Sequence, residues 1–153
     1  MGFHLRDTDH GWKARLKGLL ALRAPAHIDV GILDTGEVEG DGTSVLDVAF
    51  WQEFGTATIP ERSFIRAWFD EAEPQLRQDF AALMRTVAAG KRTRAEVLEL
   101  MGQRMVGQVQ ARMSAGIPPA NAPSTVRRKR GSTTPLIDTG VLRSSVSYRT
   151  GGG

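Results

Sequence analysis

Cysteine is absent from the 153 residues of this sequence. The chain therefore contains no disulfide, no thiolate zinc site and no cysteine nucleophile. Long apolar runs are absent as well, because none approaches the ~18 residues that a membrane-spanning helix needs. The opening MGFHLRDTDHGW lacks the apolar core of a signal peptide. We therefore expect a chain that is made in the cytoplasm and has no membrane partner.

Catalytic signatures are missing too. His4, His10 and His27 have no metal-ligand spacing and no local carboxylate pattern. Ser144 and Ser145 lack the G-x-S-x-G elbow of serine hydrolases. The glycines form neither a P-loop nor a G-x-G-x-x-G. The sequence thus predicts a protein that is not an enzyme and that uses no cofactor and no metal.

Composition and charge describe an ordinary globular chain with an uneven charge distribution. Hydrophobic residues make up 41% and charged residues 24%, and this length is usual for a single domain, residues 1–153. The net charge is +3, but residues 114–153 hold six basic residues and one acid, which leaves −2 for residues 1–113. The basic residues are densest in one run: Arg127, Arg128, Lys129 and Arg130. Such a run can meet nucleic acid or an acidic protein surface, or it can be a solvated loop.

Two shorter helices are predicted in the first third of the chain. Asp9 can cap the first, and the step at residues 24–25, Ala-Pro, ends it. Its large apolar residues fall on one stripe: Trp12, Leu16, Leu19 and Leu20. Such a stripe is the pattern of an amphipathic helix of about three turns. Thr43 or Ser44 can cap the second helix, LDVAFWQEF, which Gly55 stops.

The middle of the chain contains two long helical patterns. The first keeps its phase from Ile65 to Val87 although Pro74 lies inside it, so a kink is favoured over a break. The second begins with a capping box of Thr93 and Glu96. Its packing stripe repeats every four residues: Val97, Met101, Met105, Val109 and Met113.

Two segments alternate with the period of a half-buried strand, residues 28–33 and 146–150. A further strand can come from residues 38–46 or from a neighbouring subunit. Together with the helical patterns they predict an α+β fold. Two long helices and shorter helices pack on a small mixed or antiparallel sheet, with an extended C-terminal arm.

The predicted arm covers residues 116–136. Its core sequence, ANAPSTVRRKRGSTTP, is rich in Pro, Ser, Thr and Arg and has almost no core-forming residues. A long irregular segment within a small domain is usually functional or disordered. We therefore predict an extended basic arm or loop within the single domain.

Two Asp-Thr-Gly triplets, at Asp34 and Asp138, resemble in outline the carboxylate dyad of an aspartic protease. Their surroundings oppose that interpretation. Glu37 and Val141 stand where such proteases usually carry Ser or Ala, and Glu37 would add a third negative charge. A strand precedes the first triplet and a helix-like stretch follows the second, so the copies lack symmetry. We interpret Asp138 as a structural helix N-cap.

Two segments resemble one protein family. WQEFGTATIPERSFIRAWFDE, residues 51–71, resembles the segment "EFGT…IP.R.F" of tail-completion and head–tail joining (neck) proteins of long-tailed double-stranded DNA bacteriophages. GIPPANAPSTVRRKRGSTTPLIDTGVLRSSVSYRT resembles their "PP…T…K…PLIDTG.LR.SI.Y" ending. Order and spacing agree over residues 45–148. Ser63 stands where many relatives carry Pro, and the N-terminal helix and strand match no motif of the family.

The resemblance implies a structural virion protein of the phage neck or tail top, located in the virion after assembly in the host bacterial cytoplasm. Copies would form a ring, commonly a hexamer, that joins the DNA-filled head to the tail. The implied partners are the chain itself, head connector or portal-adaptor proteins, the tail tube or tail terminator protein, and packaged DNA in the lumen. A tail terminator or minor tail protein, and a small nucleic-acid-binding module using the basic arm, are the alternatives.

Two regions are the candidate contacts for assembly. The first is the loop region of residues 51–64, with Phe54, Ile59 and Phe64 as apolar anchors, which can equally be core residues. The second comprises the arm and the residues after it: Pro118, Pro119, Leu136, Leu142, Val146 and Tyr148. The basic run at residues 127–130 is expected to approach DNA in the lumen or to pair with an acidic partner.

Overall fold

The structure is a computed structural model that describes residues 11–23, 25–33, 36, 38–39, 42–128 and 140–151. Its elements in chain order are α1 (Trp12–Ala21), β1 (His27–Ile32), α2 (Val45–Phe54), α3 (Arg66–Ala88), α4 (Arg94–Ala115), α5 (Pro123–Arg128), α6 (Val141–Ser144) and β2 (Val146–Gly151). The predicted α+β architecture is confirmed, with two long helices and a small sheet.

The sheet pairs the two predicted strands. β1 and β2 run antiparallel, with His27 opposite Gly151 and Ile32 opposite Val146. The proposed third strand at residues 38–46 is wrong, because Val38 makes a single bridge to Ser44 and α2 begins at the next residue. Within the part of the chain that the structure describes, the sheet therefore consists of two strands.

The two long helices follow the predicted pattern closely. α3 continues through Pro74 for 23 residues without a break. α4 begins with both bonds of the predicted capping box: Glu96 N–H donates to Thr93 Oγ1 (3.2 Å), and Thr93 N–H donates to Glu96 Oε2 (2.7 Å). The bond from the Thr93 backbone is the main cause that lowers the pKa of Glu96. The box is satisfied by residues three apart and needs no tertiary contact.

The core lies where α4 packs against α3 and against both strands. The predicted stripe of α4 faces this core, with Val97, Met101, Val109 and Met113 buried and Met105 partly buried. Residues from the other elements complete the main cluster: Val45, Ala49, Phe64, Trp68, Leu76, Ile117, Leu142 and Val146. Elements distant in sequence therefore share one hydrophobic interior.

Helix α1 forms as predicted, but its apolar stripe does not face the core. The four stripe residues are exposed, from 43% at Leu16 to 64% at Trp12. The helix instead packs on the end of α3 through small residues. Gly18 lies so close to α3 that a Cβ there would be 2.0 Å from the Val87 carbonyl oxygen. The face that permits the closest approach is buried, and the larger apolar face is left outside.

The predicted extended arm differs from the structure in its described part. Residues 116–122 are irregular, but Ile117 is buried in the core cluster. Residues 123–128 form the short helix α5 instead of extended chain. The remainder of the predicted arm, residues 129–136, lies outside the described residues. The segment is thus anchored to the domain at its start.

Tyr148 joins the sheet to α4 at a glycine. Its ring lies against Gly102, where an added Cβ would come within 2.2 Å of Cδ2 of the ring. Its hydroxyl donates a hydrogen bond to Glu99 Oε1, which raises the pKa of Tyr148. The absence of a side chain at residue 102 therefore lets the strand pack directly on the helix.

Two glycine substitutions in α4 test this contact. Gly102→Ala should displace the Tyr148 ring and lower the free energy of unfolding by about 1–3 kcal/mol, because the added methyl overpacks the interface. A Cβ at Gly107 would have no atom within 4 Å. Gly107→Ala should therefore raise the free energy of unfolding by about 0.5–1 kcal/mol through its higher helix propensity. Chemical denaturation measures both. Equal stabilisation by the two variants would contradict the proposed packing.

Candidate functional site

Helix α2 has one buried and one exposed apolar face. Val45, Ala49 and Glu53 repeat every four residues and are buried. Leu46 and Phe50 follow the same spacing one position later, and they are 43% and 60% exposed. A helix that is apolar on most sides is normally enclosed by protein. Here the described residues cover only one side of it.

Two aromatic residues form the exposed end of this face. The rings of Phe50 and Phe54 lie 4.8 Å apart between centroids, tilted by 45°. The Arg66 guanidinium carbon lies 5.1 Å from the centroid of the Phe54 ring. Arg66 Nη2 also pairs with Glu61 Oε1 at 2.5 Å. Phe54 is thus held by its neighbours while remaining 52% exposed, so the surface is ordered before any partner binds.

The buried carboxylate of Glu53 receives four hydrogen bonds at the start of α3. The Ser63 hydroxyl donates to Oε1 at 2.6 Å and Arg66 N–H at 3.0 Å. The N–H groups of Phe64 and Ile65 donate to Oε2 at 2.8 and 3.0 Å. The first N–H groups of a helix have no partner within the helix and carry its positive dipole end. Glu53 therefore caps α3 from the preceding helix.

Ser63 supports the same cap from within the loop. It occupies the position where the resembled motif often has Pro, and its hydroxyl both donates to Glu53 and accepts from Ala67 N–H at 3.0 Å. The N-cap residue itself, Ile65, makes no side-chain capping bond. Ser63 and Glu53 together supply the acceptors that the start of α3 requires.

The loop between α2 and α3 is closed by a tight turn. Gly55 has a φ of 74°, and a Cβ there would lie 2.9 Å from Glu61 N. Thr56 Oγ1 accepts from the N–H groups of Thr58 (3.2 Å) and Ile59 (3.0 Å). Gly and Thr at these places therefore serve the turn geometry.

Arg62 ties this loop to the segment after α4. It is buried, at 5% exposure, and burial lowers the pKa of its guanidinium. Its Nε donates to Pro119 O (2.8 Å), Nη1 to Gln52 Oε1 (3.1 Å) and Nη2 to Ala120 O (3.4 Å). A planar guanidinium can serve three acceptors in this way. The residue connects the loop after α2 to residues 119–120.

The predicted interface residues divide into two groups. Phe54 and the two prolines are exposed, whereas Ile59 and Tyr148 are half-buried. Three others are at most 3% exposed in the chain's own core: Phe64, Leu142 and Val146. We therefore correct their assignment as interface residues, because a side chain enclosed by its own core offers a partner no surface. Pro118 and Pro119 stand beside the Arg62 contact, and Leu136 lies outside the described residues.

The basic run is described only at its beginning. Arg127 is exposed on α5, and Arg128 is the last residue of that helix. Lys129 and Arg130 lie outside the described residues, as do Asp34 and Asp138. The N-cap position of α6 is Gly140, with a φ of 86° and no side-chain capping bond. The arrangement of the two aspartates is therefore not part of the described geometry.

Several residues that shape this region were not predicted from the sequence. The exposure of Leu46 and Phe50 and the structural roles of Glu53 and Arg62 were not predicted from the sequence. The sequence of α2, VLDVAFWQEF, does indicate the exposed face, because it is apolar on nearly all sides of the helix. The roles of the two charged residues depend on loops brought together by folding.

Within the described ranges, no group of three or more His, Asp or Glu residues could hold a metal ion. The helices in this part of the chain are too short or too polar to cross a bilayer. The described surface carries two exposed apolar faces, one on α1 and one on α2.

Glu53→Gln tests the remote cap. The amide supplies one acceptor oxygen in place of two, so at least one buried N–H group loses its partner, and the free energy of unfolding should fall by about 2–3 kcal/mol. Glu73→Gln, which removes an exposed pair with Arg77, should cost less than ~0.5 kcal/mol. Urea denaturation compares them. Similar costs for the two variants would contradict the cap.

Arg62→Lys tests the connection to residues 116–122. One ammonium cannot reach three separate acceptors, so the segment should loosen and stability should fall by about 1–2 kcal/mol. Hydrogen exchange at the backbone amides of residues 116–121 measures the loosening. Arg77→Lys, at an exposed ion pair, is the control and should leave exchange there unchanged. Unaltered exchange in Arg62→Lys would contradict the connection.

Comparisons with known proteins identify no relative of this chain. No protein-family model, no curated protein and no solved structure matches the chain. Its function is therefore inferred from its own residues and from the motifs described above.

Proposed function

We propose that this chain is a structural subunit of the neck or tail top of a long-tailed double-stranded DNA bacteriophage. Copies form a ring, with six as the expected number, that joins the DNA-filled head to the tail. The observation that carries the proposal is the exposed apolar face of α2, which is presented by the loop containing the resembled motif. The motif residues Glu53, Gly55 and Arg62 hold that loop, so motif and surface are parts of one unit.

Exposed apolar residues favour assembly over an independent monomer. They are concentrated on two helices, and the most exposed are Trp12 on α1 (64%) and Phe50 on α2 (60%). Monomeric soluble proteins rarely expose extensive apolar patches without a binding role. Two separate surfaces suit a subunit with two neighbours, which is the situation of every copy in a ring.

The remaining partners follow from the position of such a ring. Head connector or portal-adaptor proteins would contact one side, and the tail tube or tail terminator protein the other. Arg127 is exposed at the start of the basic run, which we assign to the lumen, where it would approach DNA within the ~8 Å over which charge acts at physiological salt. Pro118 and Pro119 would contact a protein partner.

The test uses the phage whose genome encodes this chain. Deleting the gene should leave DNA-filled heads and finished tails unjoined, and adding the purified protein to the lysate should restore joined particles. Electron microscopy counts the joined fraction. Leu100→Glu changes an exposed α4 residue outside both apolar helices and should restore joining as well as the unmodified chain.

The result that contradicts the proposal is equally concrete. Joined particles in the deletion strain would contradict a role of this protein in the neck. Binding of the isolated monomer to DNA with a steep salt dependence, with no ring and no joining defect, would favour the nucleic-acid-binding module instead.

A further inference from the structure

We propose that the ring closes through a head-to-tail contact in which α1 of one copy packs on α2 of the next. This inference rests on the proposed function only in taking the second copy as the partner. The α1 surface comprises Trp12, Leu16, Leu19 and Leu20, and the α2 surface comprises Leu46, Phe50, Trp51 and Phe54. The two surfaces differ in composition and position, and both differences favour their pairing.

The α1 surface is an apolar stripe on a helix whose charged residues are all basic. Its helix contains Lys13, Arg15 and Lys17, and no acid. The opposite face is already used, because Gly18 contacts the Val87 carbonyl and Ala14 lies beside Gly90. The helix is therefore fixed to its own chain through small residues while its large side chains point away from α3.

The α2 surface carries one exposed carboxylate, and the Arg66 guanidinium at its aromatic end is already paired with Glu61. Its helix contains the acids Asp47 and Glu53 and no basic residue. Asp47 is exposed beside Leu46, whereas Glu53 is buried. An α1 surface placed against a second α1 surface would bring cations together. Placed against the α2 surface, it meets aromatic rings and a carboxylate, and opposite charges at an interface also select the correct partner.

The two surfaces lie at opposite ends of α3. α1 contacts α3 near Val87, while Glu53 of α2 caps the beginning of α3 at residues 64–66. About 20 helical residues separate these points, which corresponds to roughly 30 Å. One copy therefore cannot cover its own two surfaces with each other. A contact between different surfaces on different copies is heterologous, and it gives a closed ring when the rotation between subunits closes.

The exposed area is consistent with a substantial contact. Taking about 200 Å² for a whole large apolar residue, the exposed fractions on each surface amount to roughly 400 Å². A standard protein interface buries about 800 Å² on each partner. The apolar stripes thus supply about half of such an interface, as a central apolar region surrounded by polar side chains.

Single-cysteine variants test the pairing, since the chain has no cysteine of its own. Leu16→Cys and Phe50→Cys are mixed and oxidised with copper–phenanthroline. The mixture should give a disulfide-linked dimer containing one copy of each, and neither variant alone should do so. A chain carrying both substitutions should give a ladder that ends at the copy number of the ring. Leu100→Cys, mixed with either, should not cross-link.

Blocking variants provide a second measurement that needs no cross-link. Leu16→Glu and Phe50→Glu should each weaken self-association at least ~10-fold, as expected for a residue central to an interface. Mixing the two should restore a 1:1 complex, because each still has one intact surface. Sedimentation velocity distinguishes these species. Circular dichroism confirms that both variants remain folded.

Each other outcome overturns the inference in a distinct way. Dimers from Leu16→Cys alone would indicate pairing of identical α1 surfaces. Rings that persist in both glutamate variants would place the contact elsewhere and leave the proposed function intact. Binding of the unmodified chain to phosphatidylglycerol vesicles, lost in Leu16→Glu without any self-association, would identify a lipid surface as the occupant. Head–tail joining in the deletion strain would instead remove the proposed function, whichever surfaces pair.

Discussion

The carboxylate of Glu53 controls the relation between α2 and α3. Burying a charged group is costly unless it is fully hydrogen-bonded, and this carboxylate accepts four bonds from the start of α3. The geometry works only when the inward face of α2 lies against that helix terminus. The neighbouring face, with Phe50 and Phe54, then has to point outward. One buried interaction thus determines which apolar surface the protein presents.

Arg62 extends this control to the other half of the chain. Its bonds to Gln52, Pro119 and Ala120 join α2 to the segment that follows α4. Residues that look like scattered motif positions therefore depend on one another, because the loss of either buried charged group leaves unpaired polar atoms in the same region. The motif residues specify the shape of this region, and the proposed role in assembly rests on that shape.

The chain also keeps large apolar residues out of its core. α1 is fixed by Gly18 against the Val87 carbonyl, although its leucines and Trp12 would bury more surface. Burial of apolar area is the main stabilising contribution in folding and in association alike. Apolar side chains that are not buried on folding remain available for association. The separation of the α1 and α2 surfaces along α3 is what makes a directional contact between copies possible.

The sequence by itself determined the elements whose signals are local. The period of α4, its capping box at Thr93 and Glu96, and the alternation of both strands were predictable because each depends on residues a few positions apart. Tertiary structure decided which apolar residues are enclosed. A stripe of leucines has the same spacing whether its partner lies in the same chain or in another. The sequence therefore could not decide between core and interface for α1, Phe64, Leu142 and Val146. The role of Glu53 also required folding, since its donors lie 10 to 13 residues away.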